Sequence, residues 1–212
     1  VPTAGTLELA LCVAAAWALL ALVGLWLRTR SFGPRVLFAP PAGDPAAGVR
    51  YAFTKAMLPQ AKESVRLHLP SYLAGLVFHT GLLVAFGLLA AGVAGIEPGA
   101  LVVRLARVAT AAGALAGLGL LGKRIASPHL RGLSSPDDFV ANLLTTTFTA
   151  LAAVASFVPA ARSVWLAAAI ALLVYVPVGK IRHCLFFFPT RWHMGSFFGR
   201  RGTFPPASRA DA

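Results

Sequence analysis

The feature that most constrains this chain is a succession of long apolar runs, each about twenty residues or more, separated by links rich in proline and basic residues. A bilayer hydrocarbon core is about 30 Å thick and takes about 20 apolar helical residues to cross. Backbone N–H and C=O groups find no water there, so such a run crosses as a helix that closes its hydrogen bonds within itself. The runs predict helices over about residues 6–27, 71–96, 100–121, 139–158 and 163–188. The expected fold is all-α: one membrane domain over residues 1–212, an integral bundle of five transmembrane helices, with a link at 29–69 and a tail at 189–212. The first run is long and lacks an evident small-residue cleavage site, so it is expected to be a retained helix and not a signal peptide.

Charge supports this reading. Only 12% of the 212 residues are charged and 58% are apolar, against about 25% charged in a soluble domain; the mean hydropathy is +0.75. The net charge of +12 sits in the links, which points to topology and anionic lipid and away from nucleic acid. Link 29–69 carries Arg30, Arg35, Arg50, Lys55, Lys62 and Arg66 among Pro34, Pro40, Pro41, Pro45 and Pro59. Its piece 49–68 is expected to form an amphipathic helix on the membrane surface. The third link and the tail are also basic, with Lys123, Arg124 and Arg131, then Arg191, Arg200, Arg201 and Arg209. Positive-inside then places the N-terminus outside and the C-terminus in the cytoplasm; a bacterial or archaeal cytoplasmic membrane is the expected location. Arg104 and Arg107, toward the outer side, are expected to snorkel or to face the bundle interior.

Local signals set the expected boundaries. Glu97-Pro98-Gly99 reads as a tight turn, Asp137 or Asp138 as the cap of the fourth helix, and Pro159 and Pro189 as the stops of the fourth and fifth. Gly113, Gly117 and Gly119 suggest a close helix contact.

Several chemistries are argued against. Cys12 and Cys184 are the only cysteines, too few for a four-thiolate cluster or a structural zinc, and no CxxCH motif offers covalent haem attachment. The seven acids lie at or outside the ends of the runs, and neither a Ser-His-Asp arrangement nor HExxH occurs, so no hydrolase or transferase is indicated. A transporter would be expected to show repeats or buried acids.

The histidines carry the site hypothesis, because an ionisable group inside a membrane helix is costly. Of His68, His79, His129, His183 and His193, only His79 and His183 fall within apolar runs. His79 lies 17 residues before Ile96, about 25 Å from the outer end of the second helix, and His183 lies 20 residues after Ser163, about 30 Å from that of the fifth. At similar depths, the two imidazoles are candidate axial ligands of one haem b iron. Lys123, Arg124, Lys180 and Arg182 are candidate propionate contacts, and Gly75 and Gly81 flank His79 where a macrocycle would approach the backbone. Thr80, Ser71 and Thr145-Thr146-Thr147 are candidates for tuning the imidazoles, the threonines having the simpler reading of bonding back to their own helix. The plain alternative is two interior histidines satisfied by hydroxyl or carbonyl partners. A second haem, on His68 and His193, requires helices that continue past Pro70 and Pro189.

Three stretches resemble a known family. Phe78-His79-Thr80-Gly81-Leu82-Leu83, Lys123-Arg124-Ile125-Ala126-Ser127-Pro128 and Val176-Pro177-Val178-Gly179-Lys180-Ile181-Arg182-His183 are similar to segments of the cytochrome b (gamma) subunit of respiratory nitrate reductase and its relatives in heterodisulfide-reductase-like complexes. The likeness covers about residues 71–189. It implies five helices with an outside N-terminus and a haem near the cytoplasm on His79 and His183. The family's nitrate reductase members carry a second, outer haem; here the corresponding positions fall at Leu89 and around Trp165, so that haem is not implied. The resemblance also implies an iron–sulfur partner subunit on the cytoplasmic face and a quinone, menaquinone or ubiquinone, as substrate. Phe86, or the region of Tyr175 and Pro177, is where a quinone cleft is expected. The expected function is a b-type haem membrane anchor passing electrons between quinone and the iron–sulfur partner, without a substrate-converting centre of its own beyond a quinone site. The alternative is a haem-free structural anchor of a multisubunit complex.

Overall fold

The computed structural model describes residues 4–33, 38, 40–62, 65 and 67–206. Pro34, Arg35, Arg66 and Arg209, named above, lie outside the described residues. Those residues form helices and turns with no strand: α1 Ala4–Ser31, α2 Pro45–Phe53, α3 Leu69–Val93, α4 Ala100–Ala126, α5 Pro128–Gly132, α6 Pro136–Ala155, α7 Arg162–Tyr175 and α8 His183–Arg200. Four of them (α1, α3, α4 and α6) are long and apolar enough to cross a membrane, or five if the broken pair Pro159–Tyr175 and Lys180–Arg200 counts as one span. Such helices are compatible with an integral membrane protein.

The chain packs as two compact units. The first holds Val1–Leu22 and Pro70–Ile181, the second Val23–Leu69 and Arg182–Ala212.

The first unit is a helical bundle whose centre is Phe148, fully buried on α6 between Phe86 of α3, with ring centroids 4.8 Å apart, and Trp165 of α7, at 6.1 Å. Leu11 of α1, Ala85 and Leu89 of α3, Ala152 of α6, and Leu166, Ala169 and Leu172 of α7 complete this core. Its outer surface is apolar: Leu20, Leu83, Val108 and Leu115 are each about 70% exposed. The interior instead buries Thr110, Thr145, Thr146 and Thr149. Where lipid is the solvent, exposed leucine is no penalty, and small or hydroxylated residues let helices approach. The simpler expectation for the threonine run is met at Thr145, whose hydroxyl donates to Ala141 O at 2.6 Å; Thr149 donates to Thr145 O at 2.8 Å.

Glycine sets the closest approach. A Cβ at Gly81 would lie 2.6 Å from Ala109 O and 2.7 Å from Gly113 Cα, so α3 and α4 touch backbone to backbone. Gly117 similarly admits the Phe78 ring, whereas Gly119 faces open space and takes no part.

The ends of the helices follow local chemistry and correct several expectations. Helix α3 stops at Gly95, whose φ of 68° is left-handed, with Ile96 N–H reaching back to Ala91 O at 2.9 Å. The cap of α6 is Ser135, not an aspartate; Pro136 occupies its first turn, and Asp138 accepts from Ser135 N–H at 2.9 Å. Arg107 leaves its helix to donate to Ser156 O at the end of α6, its guanidinium 4.5 Å from the Phe157 ring centre.

The fifth predicted helix, 163–188, is two helices. Helix α7 ends at Tyr175 and α8 begins at His183. Pro177 has no N–H to give and its ring excludes the carbonyl four residues back; the Tyr175 carbonyl instead turns the chain by accepting from Val178 and Gly179. Pro189, expected as the stop, lies inside α8.

In the second unit α8 is packed along α2. Cβ atoms at Gly48 and Gly199 would meet the facing backbone at 2.5 and 2.6 Å, and one at Gly195 would meet Val49 Cα at 2.7 Å. The spacing Gly195-xxx-Gly199 is a small-residue contact of the kind membrane helices use. Ala42 and Gly43 N–H groups cap the end of α8 by donating to Arg200 O, and Arg191 donates to Ala52 O at 2.8 Å. Asp44 caps α2 by accepting from Ala46 and Ala47 N–H. The surface helix expected over 49–68 is therefore shorter and earlier. It runs over Pro45–Phe53 and breaks at Thr54 (φ −121°, ψ −96°) into single turns at Lys55–Met57 and Pro59–Ala61.

Candidate functional site

His79 stands on α3 in the first unit, about 12 Å along the helix from Ser71. Its side chain is exposed on the bundle's outer face. Its Nδ1 lies 2.7 Å from Gly75 O, one turn earlier. A carbonyl oxygen only accepts, so Nδ1–H donates in this contact, and Nε2 is the ring nitrogen a metal would take. Ligating histidines characteristically show this arrangement: the outer nitrogen is anchored to a carbonyl or carboxylate, and the inner one is fixed in tautomer and direction. Phe78 braces the ring edge-on at 5.5 Å. Around His79 the helix is low and apolar. Gly75 faces open space, and Leu76 and Leu83 are 49% and 71% exposed. A flat apolar group fits against that strip. Gly81, the other flanking glycine, does not contribute, being filled by α4.

His183 is the first residue of α8, exposed, and belongs to the second unit. The two imidazoles are thus on separate helices and in separate units. His68 and His193 both belong to the second unit and both are exposed. Helix α8 runs past Pro189 and includes His193, but α3 begins at Leu69, leaving His68 in the turn before it.

The candidate propionate cations are not equivalent. At the end of the first unit where α3 and α6 begin and α4 and α7 end, Asp138 gathers two of them: Lys180 Nζ at 2.5 Å and Arg124 at 3.7 Å. Arg124 also donates to Ser134 Oγ at 2.7 Å. The Asp138 carboxylate is only 11% exposed, so these charges help tie α4 and α6 to the turn Lys180–Arg182 after α7. Lys123 donates to Ser71 Oγ at 2.5 Å, which joins α4 to the start of α3 below His79. Arg182 is exposed, next to His183. Tyr175 hydrogen-bonds Asp137, and its ring fills the space above Gly179. Tyr175 and Phe86, named for a quinone cleft, are therefore both engaged in packing. The sequence reading missed the Asp138 hub, because an acid at a helix start reads as a cap whatever else it holds. The Gly195-xxx-Gly199 contact was missed as well, although its small-residue spacing was a signal for close helix packing.

Among the described residues no group of three or more His, Cys, Asp or Glu side chains gathers as a metal site; an axial haem pair requires only two histidines. No protein-family model, curated protein or solved structure matches this chain.

Proposed function

We propose that this chain is a b-type haem membrane subunit that carries electrons between a membrane quinone and an iron–sulfur partner, with His79 and His183 as axial ligands. The observation that carries the reading is the His79 ring: Nδ1 is anchored on Gly75 O at 2.7 Å, which keeps Nε2 for a metal beside a bare apolar strip. The resemblance of the segments around His79 and His183 to the nitrate reductase gamma family supports the same assignment.

When bound, the haem supplies one-electron redox chemistry. The chain's own residues do the rest. Gly75 O fixes the imidazole tautomer, the apolar helix faces exclude water, and Lys123 and Arg182 are the candidate cations for the propionates. The second unit is strongly basic: Arg28, Arg30, Arg50, Lys55, Arg182 and Arg201 are exposed there, with Asp44 the acid among its described residues. Such a face suits an acidic partner subunit and the anionic cytoplasmic leaflet, in keeping with an outside N-terminus.

The test is a reduced-minus-oxidised spectrum of the purified chain, where b-type bands at about one haem per chain are expected. His79→Ala or His183→Ala should abolish the bands while far-UV circular dichroism stays helical. Normal haem content in either variant would show the ligand to be wrong. Absence of bands in the parent chain would favour a haem-free anchor subunit, a reading supported by the engagement of Arg124 and Lys180 with Asp138.

A further inference from the structure

The second unit repeats one small device. An aromatic residue is followed four positions later by an arginine at Trp26-xxx-Arg30, Phe187-xxx-Arg191 and Phe197-xxx-Arg201. Four residues make about one helical turn, so each guanidinium comes over the ring before it. The distances from guanidinium carbon to ring centre are 5.9, 5.6 and 5.3 Å. Such an arginine is held in place by the ring, and the N–H groups at its edge still face outward as donors. Arg191 uses one of them on Ala52 O. Arg30 and Arg201 are exposed.

The surroundings select what those donors meet. Asp44 is the acid among the unit's described residues, and its two carboxylate oxygens already accept from Ala46 and Ala47 N–H. The unit therefore presents a positive surface with little to offset it. The same surface carries uncovered rings: Phe32, Phe188 and Trp192 are 79%, 64% and 60% exposed. An acidic protein would match the charge. Aromatic rings interleaved with arginines settle at the headgroup level of a bilayer, and this favours lipid. The chain enters the unit along α1, leaves it into α3 and returns to it after α7, so it is tied at three points to apolar helices.

We propose that this unit binds anionic membrane lipids, with Arg30 and Arg201 each donating from a ring-held guanidinium to a lipid phosphate. A phosphodiester accepts two parallel N–H bonds from one guanidinium, which an ammonium cannot supply. Phe188 and Trp192 would then lie in the interface beside the headgroups. Lipid binding requires the apolar helices to lie in a bilayer and does not depend on the haem.

Native mass spectrometry of the delipidated full chain in detergent, titrated with dioleoyl phosphatidylglycerol or dioleoyl phosphatidylcholine, resolves each bound lipid. Phosphatidylglycerol is expected to bind more tightly by at least about fivefold. Arg30→Gln and Arg201→Gln should each weaken it by about fivefold, the contribution of one base near an anionic surface. Arg30→Lys and Arg201→Lys keep the charge and lose the planar fork, so they should recover only part of that affinity. Arg131→Gln, at an exposed base of the first unit, should leave it unchanged. Parental proteolysis near Thr54 checks that the variants still pack α2 on α8. Equal affinity for the two lipids overturns the proposal. So does a loss at Arg131→Gln as large as those at Arg30 and Arg201, because net charge alone would then be acting. Full recovery by lysine overturns the ring-held guanidinium as the donor. Displacement of the lipid by poly-glutamate at equal charge assigns the face to an acidic protein and overturns the proposal as well.

Discussion

Two glycines on α3, six residues apart, should respond to alanine in opposite directions. Gly81 lies against α4, where the added methyl would come 2.7 Å from Gly113 Cα and 2.6 Å from Ala109 O, while ordinary contact begins at 3.4 Å. The obstacles are backbone atoms, which no rotamer change can move, so the helices must separate by about 0.7 Å or more. Overpacking of this kind costs about 1–3 kcal/mol. Alanine returns about 1 kcal/mol through its helix propensity over glycine. With backbone on the far side the upper half of the steric range applies, leaving Gly81→Ala about 1–2 kcal/mol less stable. At Gly75 a Cβ meets nothing within 4 Å, so only propensity acts and Gly75→Ala should be more stable by about 0.5–1 kcal/mol. Reversible unfolding by SDS in mixed micelles, followed by far-UV circular dichroism, resolves both. A Gly81→Ala midpoint at or above the parent's would refute the close α3–α4 contact. The pair also tests the site: if the macrocycle lies on the Gly75 strip, Gly75→Ala should lose haem while gaining stability.

Three further outcomes are expected. Phe148→Ala empties the fully buried centre of the first unit; its cost in the same unfolding assay should sit at or below the low end of the about 3–5 kcal/mol seen in water-soluble cores, because the unfolded reference remains in lipid, and a cost under about 1 kcal/mol would contradict its central place. Gly199→Leu should separate α2 from α8 and expose the chain near Thr54 to limited proteolysis, with the first unit still resistant; parental digestion kinetics would count against the α2–α8 contact. His68→Ala and His193→Ala should each leave the haem content of the purified chain unchanged, whereas loss of half the haem would establish a second, stacked site.

What was legible in the sequence and what was not divide along the range of the forces involved. The helices at α1, α3, α4 and α6 were readable to within a few residues, because a long apolar run in lipid has one way to satisfy its backbone and each such helix is decided within its own segment. His79 was likewise legible as an odd residue in such a run. The break in the fifth helix was not placed: Pro177 and Pro189 carry the same local penalty, yet Pro189 sits inside an α8 that runs on along α2, while after Tyr175 the chain turns on a single carbonyl. Gly81 and Gly75 look alike beside His79, and only the position of α4 shows that one is filled and the other bare. Asp138 reads as a helix-start acid, and only the tertiary fold brings Lys180 and Arg124 to it. The same holds for the link and the tail, more than a hundred residues apart in sequence, whose glycines meet as α2 and α8. The sequence by itself determined the four long apolar helices, since each is settled within its own run. The tertiary structure alone decided which glycines, prolines and charges are spent on packing and which, like Gly75, are left uncovered, since contact depends on what the rest of the chain places opposite.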